Sequence, residues 1–300
     1  MDFMAMAGAA AVFAVATAGM LAGWEPFATW YYSFAWWSYI VFADAWLLRR
    51  GGPSIVLRNP RAPRLLALSI AIWATFEIAN FRLGNWYYVE IPSEVALRWF
   101  GYALAYATVL PGIFVTAELL KVFWRHPSSH GTGLSAKLPG LLFWTGLLGS
   151  LLPWIWPRYF FPLIWLAPTA FLTGLNFRLG GKGVLRELGE RGPGKLYRLA
   201  GAGMICGFLW ECWNSWARSK WVYQIPFFNW AQIFEMPVAG FLGFPPFAVA
   251  CHEMYVAVEK LLTGLAERPA VRLAFWLLVA AYIGLAFWGI DVWTVRSFQS

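Results

Sequence analysis

Charge is what this sequence has least of. Only 13% of its 300 residues are Asp, Glu, Lys or Arg, while 60% are hydrophobic and the mean hydropathy is +0.56. That balance excludes a soluble domain and describes an all-α, polytopic membrane protein. Histidine is nearly missing, with three copies, and only His252 falls in an apolar segment. One buried histidine cannot supply both axial ligands of a bis-histidine haem. The three cysteines, Cys206, Cys212 and Cys251, lack metal-type spacing and read as small buried hydrophobes. No His/Cys/Asp cluster has the spacing of a metal site, so neither metal nor cofactor is expected. Gly189 to Lys195 fits G-x-x-x-x-G-K, but Leu196 stands where Ser or Thr is required and no strand precedes it, which excludes a phosphate loop.

Aromatic residues are abundant instead: 21 Trp, 25 Phe and 12 Tyr. Some must form belts at the two membrane interfaces, and the remainder are numerous enough to line the interior. Nine apolar segments, 3–24, 27–48, 65–84, 97–123, 138–156, 159–177, 199–217, 235–262 and 271–290, approach the length of a membrane span. Seventeen of the 23 Lys and Arg residues follow the second, fourth, sixth and eighth segments. This alternation implies a multi-pass protein of the cytoplasmic (inner) membrane, with its N-terminus cytoplasmic and its C-terminus outside. The net charge of +8 then reflects contact with anionic lipid at the cytoplasmic face and calls for no nucleic-acid partner. The N-terminal segment lacks a basic leader and reads as a retained first helix. Gly19-x-x-x-Gly23 and Gly203-x-x-x-Gly207 read as helix-packing motifs.

Acids inside apolar segments are costly and mark function by default. Here one acid-bearing pattern occurs twice. Glu77, Asn80, Trp86, Tyr88 and Ile91-Pro92 are matched by Glu211, Asn214, Trp221, Tyr223 and Ile225-Pro226. The offset is 134 residues for the acid, the amide and the proline, and one more for the aromatics. The copies sit four segments apart, so they keep orientation and imply parallel repeats about an axis along the membrane normal. The expected division is an extra N-terminal helix over 1–26, a first four-helix unit over 27–157 and a second over 158–300. Pro111 against Pro245 and Glu118 against Glu253 extend the match.

Counting from the segment starts at 1.5 Å per residue places Glu77 and Glu211 roughly 18 Å deep, just past the midplane. Asn80 and Asn214 follow one turn later on the same face, where an amide can donate to the carboxylate or hold a polar ligand. Trp73, Trp86, Tyr88, Trp210, Trp213, Trp221 and Tyr223 are the candidate walls of a substrate site. The plainer reading is a protonated Glu–Asn pair gluing helices together. Glu118, Glu253 and His252 are secondary candidates near the cytoplasmic face, with rim carboxylates paired to Lys121 and Lys260 as the alternative. Asp44 reads as a rim pair with Arg49, and Glu235 as an acid at a helix start. Pro111-Gly112 and Pro245-Pro246 read as paired helix interruptions, either plain kinks or pointers to a binding site.

Trp73-Ala-Thr-Phe-Glu77 through Gly84-Asn-Trp86-Tyr-Tyr88, with Asp44-Ala-Trp46 before it, resembles the lycopene-cyclase-type domain of carotenoid biosynthesis. The resemblance implies duplicated helical units and an enzyme without a resident cofactor that protonates a polyene and guides a carbocation. The Pro-x-Glu-Glu motif of that family is missing: Pro111 is followed by Gly-Ile-Phe-Val-Thr-Ala before Glu118. The second copy is also similar to bacterial polytopic membrane proteins of unassigned role. Three functions stay open. The first is an enzyme cyclising or hydrating an isoprenoid or other lipid. The second is a proton-coupled transporter of a small or amphipathic solute. The third is a membrane scaffold displaying the aromatic segments 85–100 and 220–235. The expected ligand is a membrane lipid or isoprenoid, and no protein partner is indicated.

Overall fold

A computed structural model describes residues 2–123, 131, 133–227 and 231–297. The chain runs α1 (Asp2–Leu21), α2 (Phe27–Arg49), α3 (Ala62–Leu83), β1 (Trp86–Val89), α4 (Val95–Tyr106), α5 (Val109–Phe123) and α6 (Leu138–Ile155). It continues through α7 (Pro157–Phe160), α8 (Leu163–Arg178), α9 (Val184–Arg191), α10 (Gly194–Trp216) and β2 (Lys220–Tyr223). A hairpin of β3 (Gln232–Ile233) and β4 (Met236–Pro237), a 3₁₀ turn Val238–Gly243, α11 (Phe244–Gly264) and α12 (Pro269–Trp293) complete it. The basic residue Arg125 and half of the polar loop 126–137 lie outside the described residues.

Six helical stretches are long and apolar enough to cross a bilayer: α1, α3, α4 with α5, α6, the 3₁₀ turn with α11, and α12. This fits an integral membrane protein; it is fewer than the nine segments expected. Two of the others, α2 and α10, have 23 residues each. Both are diluted by Trp, Ser and other residues of low hydropathy, and α8 has only 16 residues. The outward faces of α1, α6 and α12 leave large apolar side chains such as Val15, Leu148 and Leu278 exposed. That is the surface expected against lipid.

The apolar segments also divide differently from the sequence reading. The fourth breaks at Ala107–Thr108 into α4 and α5, and the eighth begins as hairpin and 3₁₀ turn before α11 starts at Phe244. Pro245-Pro246 therefore occupies the first turn of α11, and Pro111 the first turn of α5. Proline lacks an N–H that has no intrahelical partner there anyway, so neither pair interrupts a helix. Glu235 lies in the β3–β4 turn, paired with Lys220, and not at a helix start.

Buried polar side chains fold two loops back onto the bundle. Asp44 is fully buried, contrary to the expected rim pair. It accepts from Ser54 Oγ (2.7 Å) and from the backbone N–H groups of Ile55, Val56 and Leu57 (2.6, 3.2 and 2.8 Å). Glu253 is likewise buried and does not reach Lys260. It accepts from Val184 N (2.7 Å) and from Asn176 Nδ2 (2.6 Å), with His252 Nδ1 at 3.2 Å. A Cβ on Gly183 would crowd Glu253 Oε2 and displace the carboxyl group from its donors. Glu118 behaves as the plainer reading held, a half-exposed partner of Lys121 at 3.3 Å.

Aromatic rings fill the centre. Phe247 is in ring contact with Trp73 (5.7 Å), Phe76 (5.0 Å), Trp165 (5.5 Å) and Trp210 (5.6 Å), and so joins α3, α8, α10 and α11. The helices pack in a recurring way, α1 along α2 and α6 along α8.

Asp44 and Glu118 give opposite expectations. Asp44→Ala removes the shared acceptor of Ser54 Oγ and three part-buried amides and should cost about 3 kcal/mol, since a bond to a charged group contributes about 1.5–3 kcal/mol where it is buried. Glu118→Ala should stay within about 0.5 kcal/mol. Unfolding in detergent micelles measures both.

Candidate functional site

The helices carrying the repeated acids start earlier than the apolar segments imply, at Ala62 and Gly194. Glu77 and Glu211 therefore lie in the last two turns of α3 and α10, not near the helix centres. Gly84, at φ 62°, closes α3 in the left-handed region and turns the chain back. Asn80 holds that return. Its Nδ2 donates to Trp86 O (2.8 Å), and its Oδ1 accepts from the N–H groups of Asn85 (2.8 Å) and Trp86 (3.2 Å). Asn214 repeats the clamp on Trp221, donating to its O (2.9 Å) and accepting from its N (3.0 Å). Both amides are fully buried. They were expected to serve a carboxylate or a ligand; their hydrogen bonds go to backbone instead.

The two clamped strands pair with each other. β1 and β2 are antiparallel, with Trp86 opposite Tyr223 and Tyr88 opposite Trp221. Residues two apart in a strand share a face, so all four aromatics lie on one side of this ribbon. The other edge of β1 is covered, since Tyr88 N donates to Thr294 O (2.8 Å) and Arg296 N donates to Tyr88 O (2.9 Å). Trp86 and Tyr88 are 5% and 7% exposed, and Trp99 Nε1 is bonded to Asp291 (2.9 Å). The expected outward aromatic display is thus turned inward at these positions; Trp230, also part of it, lies outside the described residues.

Each tyrosine donates to the acid of its own copy, Tyr88 to Glu77 Oε1 and Tyr223 to Glu211 Oε1 (2.8 Å). Burial first, and the adjacent carboxylate second, raise both phenols well above their usual pKa, so they remain donors. Beyond this the copies differ. Glu77 also accepts from Trp73 Nε1 (2.8 Å), Trp86 Nε1 (3.2 Å) and Tyr106 Oη (3.5 Å). Glu211 accepts from its one tyrosine, the Trp221 indole being its other neighbouring donor, and its buried Oε2 has no partner within hydrogen-bond distance and angle among the described residues. No hydrogen bond joins the two acids.

Between them is a cavity of about 170 Å³. Glu211 lines it directly, together with Trp210, Trp221 and Tyr223. From the other copy it is lined by Trp73, Trp86, Tyr88 and Tyr106, the four donors that enclose Glu77. Three further wall atoms make no hydrogen bond: Trp210 Nε1, Trp221 Nε1 and Asn85 Oδ1. A buried polar atom left unpaired costs about 1–3 kcal/mol, so an apolar box holding four of them is suited to a ligand with a polar end.

Trp213 does not line the cavity. It packs on Trp36 (4.9 Å) and Phe13 (6.2 Å) as core. Glu118, Glu253 and His252 also lie away from it. Among the described residues no three His, Cys, Asp or Glu side chains gather within reach of one metal ion. Tyr106, Trp165, Phe247 and Trp30 line the cavity and were not singled out from the sequence. Trp165 follows Trp30 by 135 residues, the same offset as Trp221 from Trp86, and that offset was a usable signal. Tyr106 and Phe247 carry no such mark.

No protein-family model, curated protein or solved structure matches the chain.

Removing a clamp exposes its importance. Asn214→Ala leaves the Trp221 N–H and C=O without their partner and should destabilise by about 2–4 kcal/mol. The Trp221 environment should loosen with it, seen as a lower unfolding midpoint and a shifted tryptophan emission.

Proposed function

We propose that this protein binds an isoprenoid or similar apolar lipid within the membrane and that Glu211 is the proton donor acting on it. The observation that carries the reading is the unpartnered Oε2 of a fully buried Glu211, facing an aromatic cavity. A carboxyl so placed, with no cationic partner, is held best as the neutral acid. In an acid-initiated step, its proton passes to one carbon of a substrate double bond, leaving a carbocation and the Glu211 carboxylate. Attack by a second double bond of the same substrate closes a ring. Loss of a neighbouring proton to Glu211 then restores the acid. Water attacking the cation instead would give hydration.

The indole and phenol faces of Trp73, Trp210, Trp221 and Tyr88 are suited to the developing cation, at about 0.5–2 kcal/mol for each well-placed ring. Glu77 has a separate part. Enclosed by four donors, it fixes Trp73, Trp86, Tyr88 and Tyr106 as walls. The motif resemblance to lycopene-cyclase-type domains, which rests on the sequence wording alone, would imply the same chemistry, although the Pro-x-Glu-Glu acids of that family have no counterpart here. Coupled transport is less well supported, because it calls for both carboxylates on one aqueous path and Glu77 is enclosed.

The matching clamps, the matching tyrosine–acid bonds and the ribbon register support a parallel duplication. The packing of α1 on α2 and of α6 on α8 favours counting α1 with the first unit, which leaves α12 as the extra helix. With the basic loops in the cytoplasm, the ribbon end of the bundle faces outward across the inner membrane.

Mass spectrometry of the lipid retained through purification should show an isoprenoid or comparable apolar lipid. Conversion of that lipid should fall about 10²–10⁴-fold in Glu211→Gln with binding intact. Glu77→Gln should instead lose stability, because its NH₂ would face indole N–H groups that cannot accept. Wild-type turnover in a well-folded Glu211→Gln protein would end the acid role.

A further inference from the structure

A second hollow lies on the apolar flank of the bundle. It is a groove of about 700 Å³ between α1, α2 and α4, floored by Ala5, Gly8 and Ala9 and walled by Phe34, Trp37 and Phe100. Small residues on α1 create it, and exposed Val12, Leu97 and Phe100 open it to the surroundings of the helices.

Groove and cavity share a wall. Trp30 and Ser33 line both. At Trp30 the backbone of α2 leaves helical geometry, with φ −107° and ψ 15°. Its indole rests on Gly101, where a Cβ would stand 3.0 Å from the ring, and beside Phe100 at 5.9 Å. Trp165, the residue at the repeat offset, is held differently. It stacks on Phe76 (5.2 Å) and on Trp86 (6.3 Å) and meets Phe247 edge-on (5.5 Å), three rings that fix it in place. Of the two related tryptophans, Trp30 is the one with a hollow on either side.

We propose that the groove is the lateral entrance to the cavity, that it holds the hydrocarbon chain of the ligand, and that Trp30 is its gate. The inference rests on the reading of the cavity as an apolar-lipid site. A cavity of about 170 Å³ encloses only one end of a long isoprenoid. The rest must lie on apolar surface continuous with that end, and the groove behind Trp30 is such a surface. A polar end would meet Glu211 Oε2, Trp210 Nε1 and Trp221 Nε1, while the chain stays in hydrocarbon-like surroundings and loses no hydrophobic stabilisation on entry. A helix of a second copy could cover the groove from outside but would not reach past Trp30.

The test uses full-length protein in phosphatidylcholine nanodiscs and a long-chain prenyl alcohol carrying a diazirine midway along its chain. Photolabelling should mark α1 and α2 residues of the groove. Gly8→Trp puts a large ring into the groove from a position where a Cβ meets nothing within 4 Å. It should cut labelling about tenfold, the effect of roughly 1.4 kcal/mol of lost affinity, at an unchanged melting temperature. Trp30→Ala should speed the approach to saturation, and Glu211→Gln should keep the groove labelled. Labels confined to the ribbon end near Ile225 and Met236, with Gly8→Trp labelled as wild type, would overturn the entrance and leave the cavity reading standing. An unchanged labelling rate in Trp30→Ala would overturn the gate. Failure of the wild-type protein to take up the alcohol would overturn the ligand class, and both readings with it.

Discussion

Two buried asparagines bond the backbone of the strands that follow them, and the site depends on that contact. Without Asn80 and Asn214, the chain leaving α3 and α10 would have polar groups to satisfy at the end of an apolar bundle, where unpaired backbone groups are costly. The clamps solve this locally, and the pairing of β1 with β2 solves it globally. The ribbon then lays two Trp and two Tyr side chains over the acids. Clamp, ribbon and tyrosine–acid bond form one hydrogen-bonded unit, built twice and joined along its middle.

The two Glu–Asn–Trp–Tyr segments are furnished unequally. One segment gathers four donors at Glu77, chiefly on Oε1, with Oε2 reached only by the shared Trp86 N–H; the other leaves half of the Glu211 carboxyl unpaired beside a cavity. The difference comes from neighbours outside the motif. Tyr106, at the end of α4, adds a donor to Glu77. Trp73 Nε1 bonds Glu77 at 2.8 Å, whereas the Nε1 of Trp210, the residue before Glu211, has no partner. Two carboxyl groups in different surroundings can take different roles, and the surroundings of Glu77 and Glu211 differ in their donors.

Acids elsewhere in the bundle show how burial alone misleads. Asp44 and Glu253 are as buried as Glu211, yet each is satisfied by loop amides or by Asn176. They are structural, since a carboxylate with several N–H donors has little left to give. Donor counting, more than depth, separates the candidate site from the scaffold.

The membrane character was legible in the residues alone, because apolar length and scarcity of charge report burial in hydrocarbon without reference to any partner. The Glu–Asn–Trp–Tyr pattern was legible too, since its spacing is local: a helix turn for the amide and an alternating strand for the aromatics. Helix starts were not, because Ala62 and Gly194 precede their apolar runs with polar residues that still wind helically. The burial of Asp44 depends on how the loop at Ile55 folds back, and the donors around Glu77 include Tyr106 from a separate helix. Sequence fixes what each side chain can donate or accept; only folding determines which donors arrive, and that decides which acid remains open to a ligand.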